Sequence, residues 1–76
     1  MIKEHDCAVL TSDIPDEGLQ AGDVGTVIHI HREVPAYEVE FITLTGQTVA
    51  LATVLPTQSR SVGRRDISHV RELAIK

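Results

Sequence analysis

Two histidines one residue apart, His29-Ile30-His31, are followed by two glutamates with the same spacing, Glu38-Val39-Glu40. If both stretches are strands, alternation places the imidazoles on one face and the carboxylates on the matching face of the next strand. Imidazole nitrogen and carboxylate oxygen are the donors of a zinc or other divalent-cation site, so His29, His31, Glu38 and Glu40 are the metal-ligand candidates of this chain. The commoner use of the same residues is a solvated outer face with opposite charges paired across strands. His5 and His69 join the group only if the termini fold over it.

Other chemistry is sparser. The acidic loop Asp13, Asp16, Glu17 and Asp23 offers hard oxygens for calcium, but its spacing departs from the Asp-x-Asp-x-Asp-Gly pattern and Pro15 interrupts it. Arg60, Arg64 and Arg65 can meet phosphate. Small barrels that read RNA need a basic strand face carrying exposed aromatic rings, however. Here Tyr37 and Phe41 are the only aromatics, and both read as inward-facing. The same shortage removes the ring-lined groove of a proline-rich-peptide binder. Cys7 lies in an apolar run, where a packed thiol is commoner than a nucleophile. The serines lack a nucleophile-elbow or paired-base context, and Gly22-Asp23-Val24-Gly25 lacks the lysine and following helix of a phosphate loop. No catalytic residue and no cofactor is expected, and the chain reads as non-enzymatic.

The elements that position these residues are strands. Cys7–Thr11 is a first, apolar one, and the turn-rich stretch Ser12–Asp23 follows, with Ile14 and Leu19 available to pin it over an open end of the core. In Val24–His31 the larger apolar set, Val24, Thr26, Ile28 and Ile30, is expected inward, with Gly25, Val27, His29 and His31 outward. Tyr37, Val39 and Phe41 are the inward set of the next strand, which sets His29 opposite Glu38 or Glu40. Leu44-Thr45-Gly46 fits a three-residue hairpin with glycine in the left-handed position. That register sets Val49 and Leu51 against Phe41 and Val39, and leaves Ile42, Ala50 and Ala52 as an apolar outer stripe needing a cover. Gln58–Val62 is a short fifth strand. Asp66 then reads as the N-cap of a helical stripe made by Ile67, Val70, Leu73 and Ala74.

The expected architecture is all-β, a small five-stranded antiparallel barrel over residues 1–62. A basic tail, 63–76, forms a short C-terminal helix or helical turn that packs on the barrel or on a partner. A chain of 76 residues supports one modest core. With 42% hydrophobic and 3% aromatic residues, that core must be aliphatic. Net charge is −4, which argues against nucleic-acid or membrane surfaces as partners of the whole chain. Residues 1–58 carry nine acids against Lys3 and Arg32, a balance of −7, whereas residues 59–76 carry five bases against Asp66 and Glu72, a balance of +3. Opposite charges of body and tail imply that the tail folds back or meets a second copy. A single cysteine fits a reducing compartment, and no apolar run approaches a signal or membrane span, so a cytoplasmic location is expected.

The segments Asp13-Ile14-Pro15-Asp16-Glu17-Gly18-Leu19, Ala21-Gly22-Asp23-Val24-Gly25-Thr26-Val27, Tyr37-Glu38-Val39-Glu40-Phe41, Gly46-Gln47-Thr48-Val49-Ala50 and Gly63–Leu73 together resemble a family of small bacterial proteins catalogued as domain of unknown function 4926. The resemblance implies a five-stranded barrel of the SH3-like class and no established activity, so it transfers no catalytic residues. The remaining expectation is protein–protein association. Its interaction residues are Ile42, Ala50, Ala52, Arg60, Arg64 and Arg65, and its partner is another protein or a second copy. An antitoxin-like or accessory subunit of an adjacently encoded protein is the concrete version. A nucleic-acid-binding or metal-binding small barrel is the alternative.

Overall fold

The computed structural model describes residues 2–73. It is all-β: β1 (Cys7–Leu10), β2 (Val24–His31), β3 (Ala36–Ile42), β4 (Thr48–Val54) and β5 (Ser59–Ser61), with single 3-10 turns at Pro15–Glu17 and Pro56–Gln58. The strands form one antiparallel sheet in the order β4-β3-β2-β1-β5. The sheet curls around one core toward a barrel and does not close, leaving β4 and β5 as its two edges.

The core is aliphatic apart from Phe41. Leu10, Val27, Val39 and Val54 are its largest fully buried side chains, joined by Ile2, Ala8, Leu19, Phe41, Ala50 and Ala52. Leu19 and Ile14 do pin the long loop, through a β-bridge between them that brings Leu19 into the core. Ile2 also packs there, because Ile2–Asp6 turns back on β2 through the bonds His5 N–H to Val27 O and Val27 N–H to Asp6 O.

Two bulges correct the expected faces. In β2, Val27 pairs with Val39 and His29 with Glu38, so Ile28 is an extra residue that reverses the alternation. Gly25 and Val27 therefore face inward ahead of the bulge, and Ile30 packs on the core behind it. Val24 and Ile28, expected inward, are about half exposed at 50% and 41%. In β4 the hairpin starts in the expected register, with Thr43 bonded to Gln47 and Ile42 opposite Thr48. Phe41 then pairs with Ala50 rather than Val49, and every later residue is shifted by one. Ala50 and Ala52 are thus core residues and not an outer stripe, while Leu51 turns out to solvent. The packing reason is visible in the pairs: Phe41 faces Ala50, Val39 faces Ala52 and Tyr37 faces Val54, large against small.

The tail differs as well. Residues 66–73 form no helix, and the chain makes a single turn at Gly63–Asp66. Asp66 does not cap a helix: its carboxylate takes the Gly63 N–H at 2.6 Å and a two-bond fork from Arg60 at 2.9 Å. Ile67 and Val70, of the expected stripe, stand 91% and 69% exposed. A short helix with β-branched residues needs a surface to lie on, and this tail is held by a different contact, described below. Ala74 lies outside the described residues.

Candidate interaction surface

The outward face of β2, β3 and β4 carries His29, His31, Glu38, Glu40 and Ile42, half of the side chains singled out by the sequence. Thr26 lies opposite Glu40, Glu40 opposite Leu51, and His29 opposite Glu38. Alternation adds Val24 and Ile42 to the same face. Val24, Ile42 and Leu51 are each about half exposed (50%, 51% and 55%), an apolar strip alongside Glu38 and Glu40. On the far side of Val24 lies Val9, which in turn pairs with Arg60.

The four metal candidates are not gathered on one point. His31 Nε2 donates to Glu38 Oε2 at 2.8 Å, and Thr53 Oγ1 donates to the same oxygen at 2.8 Å. These two donors, the imidazole first, hold the Glu38 carboxyl below its ordinary value. Glu40 instead accepts from Thr48 Oγ1 at 3.0 Å. His29 turns its Nδ1 to Glu4 at 3.5 Å and packs edge-on against His31, with ring centroids 5.0 Å apart. Among the described residues no three His, Cys, Asp or Glu side chains are placed to hold a metal ion. The arrangement is a chain of pairs: Glu4 to His29 to His31 to Glu38 to Thr53. Glu4 was not legible as a member, since it reaches this face only because Ile2–Asp6 folds over β2, where its carboxylate accepts the Ile30 N–H at 3.3 Å. The hollow beside these histidines, lined by Ile30, Arg32, Glu33 and Val34, is shallow and open.

The arginines divide into two kinds. Arg60 is engaged by Asp66, and that fork together with the Gly63 N–H pulls the Asp66 carboxyl down to about 2. Arg64 and Arg65 are exposed on the turn. Arg71, unremarked in the sequence, makes the contact that straps the tail to the body. Its Nε and Nη2 donate to the two Asp23 oxygens at 2.8 and 2.6 Å, and Nη2 also reaches Gly18 O at 3.2 Å. Asp23 is fixed for this role by accepting the Gln20 N–H at 2.8 Å, just ahead of β2. Of the two arrangements the charge split left open, Arg71 places this tail against its own acidic body.

Arg71 is the first cause of a lowered Asp23 pKa, so the strap has a definite pH dependence. Its electrostatic contribution is complete above the ordinary aspartate value of 3.8 and is lost as pH falls through the lower folded value. Replacing Arg71 by Gln is expected to raise the population of the detached tail about fivefold at neutral pH, as for a partly screened pair of about 1 kcal/mol, read as lowered 15N order parameters across residues 67–73. Wild type should show the same loosening only in acid, below 3.8. Unchanged order parameters in the variant would remove the strap.

The family model described as domain of unknown function (DUF4926) matches residues 4–60, which spans all five strands up to the middle of β5. The chain belongs to the DUF4926 family. No curated protein and no solved structure matches it. The match covers every residue of the His–Glu chain and of the apolar strip, so both surfaces lie within the DUF4926 region, whereas Arg64, Arg65 and Arg71 lie beyond it. No described helix is long and apolar enough to cross a membrane.

Proposed function

We propose that this DUF4926 chain is a non-catalytic protein–protein interaction module, working in the cytoplasm as an antitoxin-like or accessory subunit of an adjacently encoded protein. The observation that carries the reading is the half-exposed strip Val24, Ile42 and Leu51 bordered by Glu38 and Glu40 on one face of the sheet. Protein interfaces place such an apolar centre inside a polar rim. The acidic rim, on a body of charge −7 over residues 1–58, fits a partner whose own rim is basic.

The test is co-expression with the product of the neighbouring gene, followed by affinity purification. Wild type is expected to retain that protein and, if it is toxic, to suppress its toxicity. Ile42→Asp, at an exposed position, should stay folded and weaken retention at least about tenfold, the effect of charging an apolar interface centre. The absence of both co-purification and rescue would overturn the reading. Of the three arginines that the nucleic-acid alternative would use, Arg60 is already held by Asp66, which leaves Arg64 and Arg65 for it.

A further inference from the structure

Among the described residues β4 ends the sheet on one side with β3 as its one neighbour, so alternate N–H and C=O groups along Thr48–Val54 point away from the sheet. Folded proteins usually blunt such an edge with lysine, proline or an inward charge. Thr48-Val49-Ala50-Leu51-Ala52-Thr53-Val54 contains no charged residue, no proline and no glycine. The neutral stretch is longer still: residues 41–59 hold no Asp, Glu, Lys, Arg or His, in a chain that is 24% charged.

We propose that this edge pairs antiparallel with the β4 edge of a second copy, about a two-fold axis through Leu51, joining two five-stranded sheets into one. Three features favour a second copy over any other strand. Each copy carries −4, so two copies repel unless neutral surfaces meet, and this edge lies within the one long neutral stretch. The centre of the strand is also its own complement when reversed about Leu51. Leu51 meets Leu51 and Ala50 meets Ala52, and the in-phase match ends there, because the bulge at Val49 leaves Thr48 exposed while Val54 is buried. That register keeps faces together, since Ala50 and Ala52 are core residues and Leu51 is outward in both copies. Finally, head-to-tail addition of β4 onto the other edge would use β5, which is three residues long and carries Arg60 tied to Asp66. A two-fold contact instead closes on itself.

The proposal goes beyond the partner-binding reading and does not depend on it: the two surfaces share Leu51, but the partner-binding test is made at Ile42 on β3, inside the sheet, and the dimer test at Leu51 on the β4 edge. The experiment is sedimentation equilibrium from about 1 μM to about 1 mM, a range covering weak two-fold contacts. The mass is expected to rise from 8.3 kDa toward twice that value and no further. Leu51→Lys and Leu51→Glu, at a position 55% exposed, should each fold normally by circular dichroism and weaken the dimer at least about tenfold by setting like charges face to face. An equimolar mixture of the two should restore it, since unlike charges then meet at the axis. As a measure on unaltered protein, β4 amide exchange should slow at least about tenfold between the lowest and highest concentrations. A mass constant at one copy or exceeding two, single variants that dimerise as well as their mixture, or concentration-independent β4 exchange would overturn the proposal. Failure here with a neighbour-encoded protein still retained, or the reverse, separates this inference from the function proposed above.

Discussion

Gly25→Ala is expected to lower stability by about 2–3 kcal/mol, at the upper end of what forced overpacking costs. A Cβ at this position would sit 2.5 Å from Val39 Cγ1, 2.9 Å from Phe41 Cδ2 and 2.9 Å from the Glu40 carbonyl oxygen. Val39 and Phe41 are 0% and 3% exposed, and the carbonyl is ladder backbone, so none of the three yields freely. Gly22, three residues earlier, is glycine for a different reason. Its φ is +95°, and an added Cβ meets nothing within 4 Å. Gly22→Ala should therefore cost only the conformational term, about 1 kcal/mol. Urea unfolding of both variants checks the contrast, and the Gly25 loss should shrink in a Phe41→Leu background, where one of the three contacts is altered. Equal losses at the two glycines, or no coupling to Phe41, would contradict the packing account.

Phe41→Ala should have the larger effect, about 3–5 kcal/mol. A domain of 76 residues has roughly 4–11 kcal/mol in total, at 0.05–0.15 kcal/mol per residue, so the variant is expected to show no cooperative thermal transition or a strongly lowered one. The reason is composition: Phe41 is the one aromatic ring in the buried core, it lies opposite Ala50 and covers Gly25, and those small neighbours cannot close the cavity. Leucine at the same position keeps most of the volume and should cost under about 1.5 kcal/mol. Calorimetry distinguishes the two. A Phe41→Ala protein that melts like the leucine variant would show that the core relaxes around the loss.

The strands were legible because their signals are local. Val24–His31 and Ala36–Ile42 carry β-branched and alternating residues, and Gly46 takes the positive φ, +95°, that its hairpin needs. That His29 would lie opposite Glu38 or Glu40 was legible for the same reason, and the register selects Glu38. The faces were not. Each misread residue lies at or beyond a bulge or ahead of one in the wrong phase: Val24 and Ile28 around the bulge at Ile28, and Ala50, Leu51 and Ala52 after the one at Val49. A bulge adds one residue to one strand and leaves no mark on the apolar pattern, yet it exchanges the faces of everything on one side. The consequence for function is direct, because it removes Ala50 and Ala52 from the candidate surface and adds Val24 and Leu51.

What the sequence by itself determined was an all-β chain with an aliphatic core, an acidic body and a basic tail, leaving open whether that tail meets its own body or a second copy. These follow from alternation, composition and net charge, which sum over many residues and survive single-residue shifts. Only the tertiary structure decided which side of each strand is buried, that Glu4 and Ile2 fold over β2, and that Arg71 rather than a helix fastens the tail through Asp23. Those outcomes depend on contacts between residues far apart in the chain. Arg71 and Asp23 are 48 positions apart, and Asp23 is ready to receive a guanidinium because its loop backbone has already oriented the carboxylate. Such an orientation exists only once the sheet has formed.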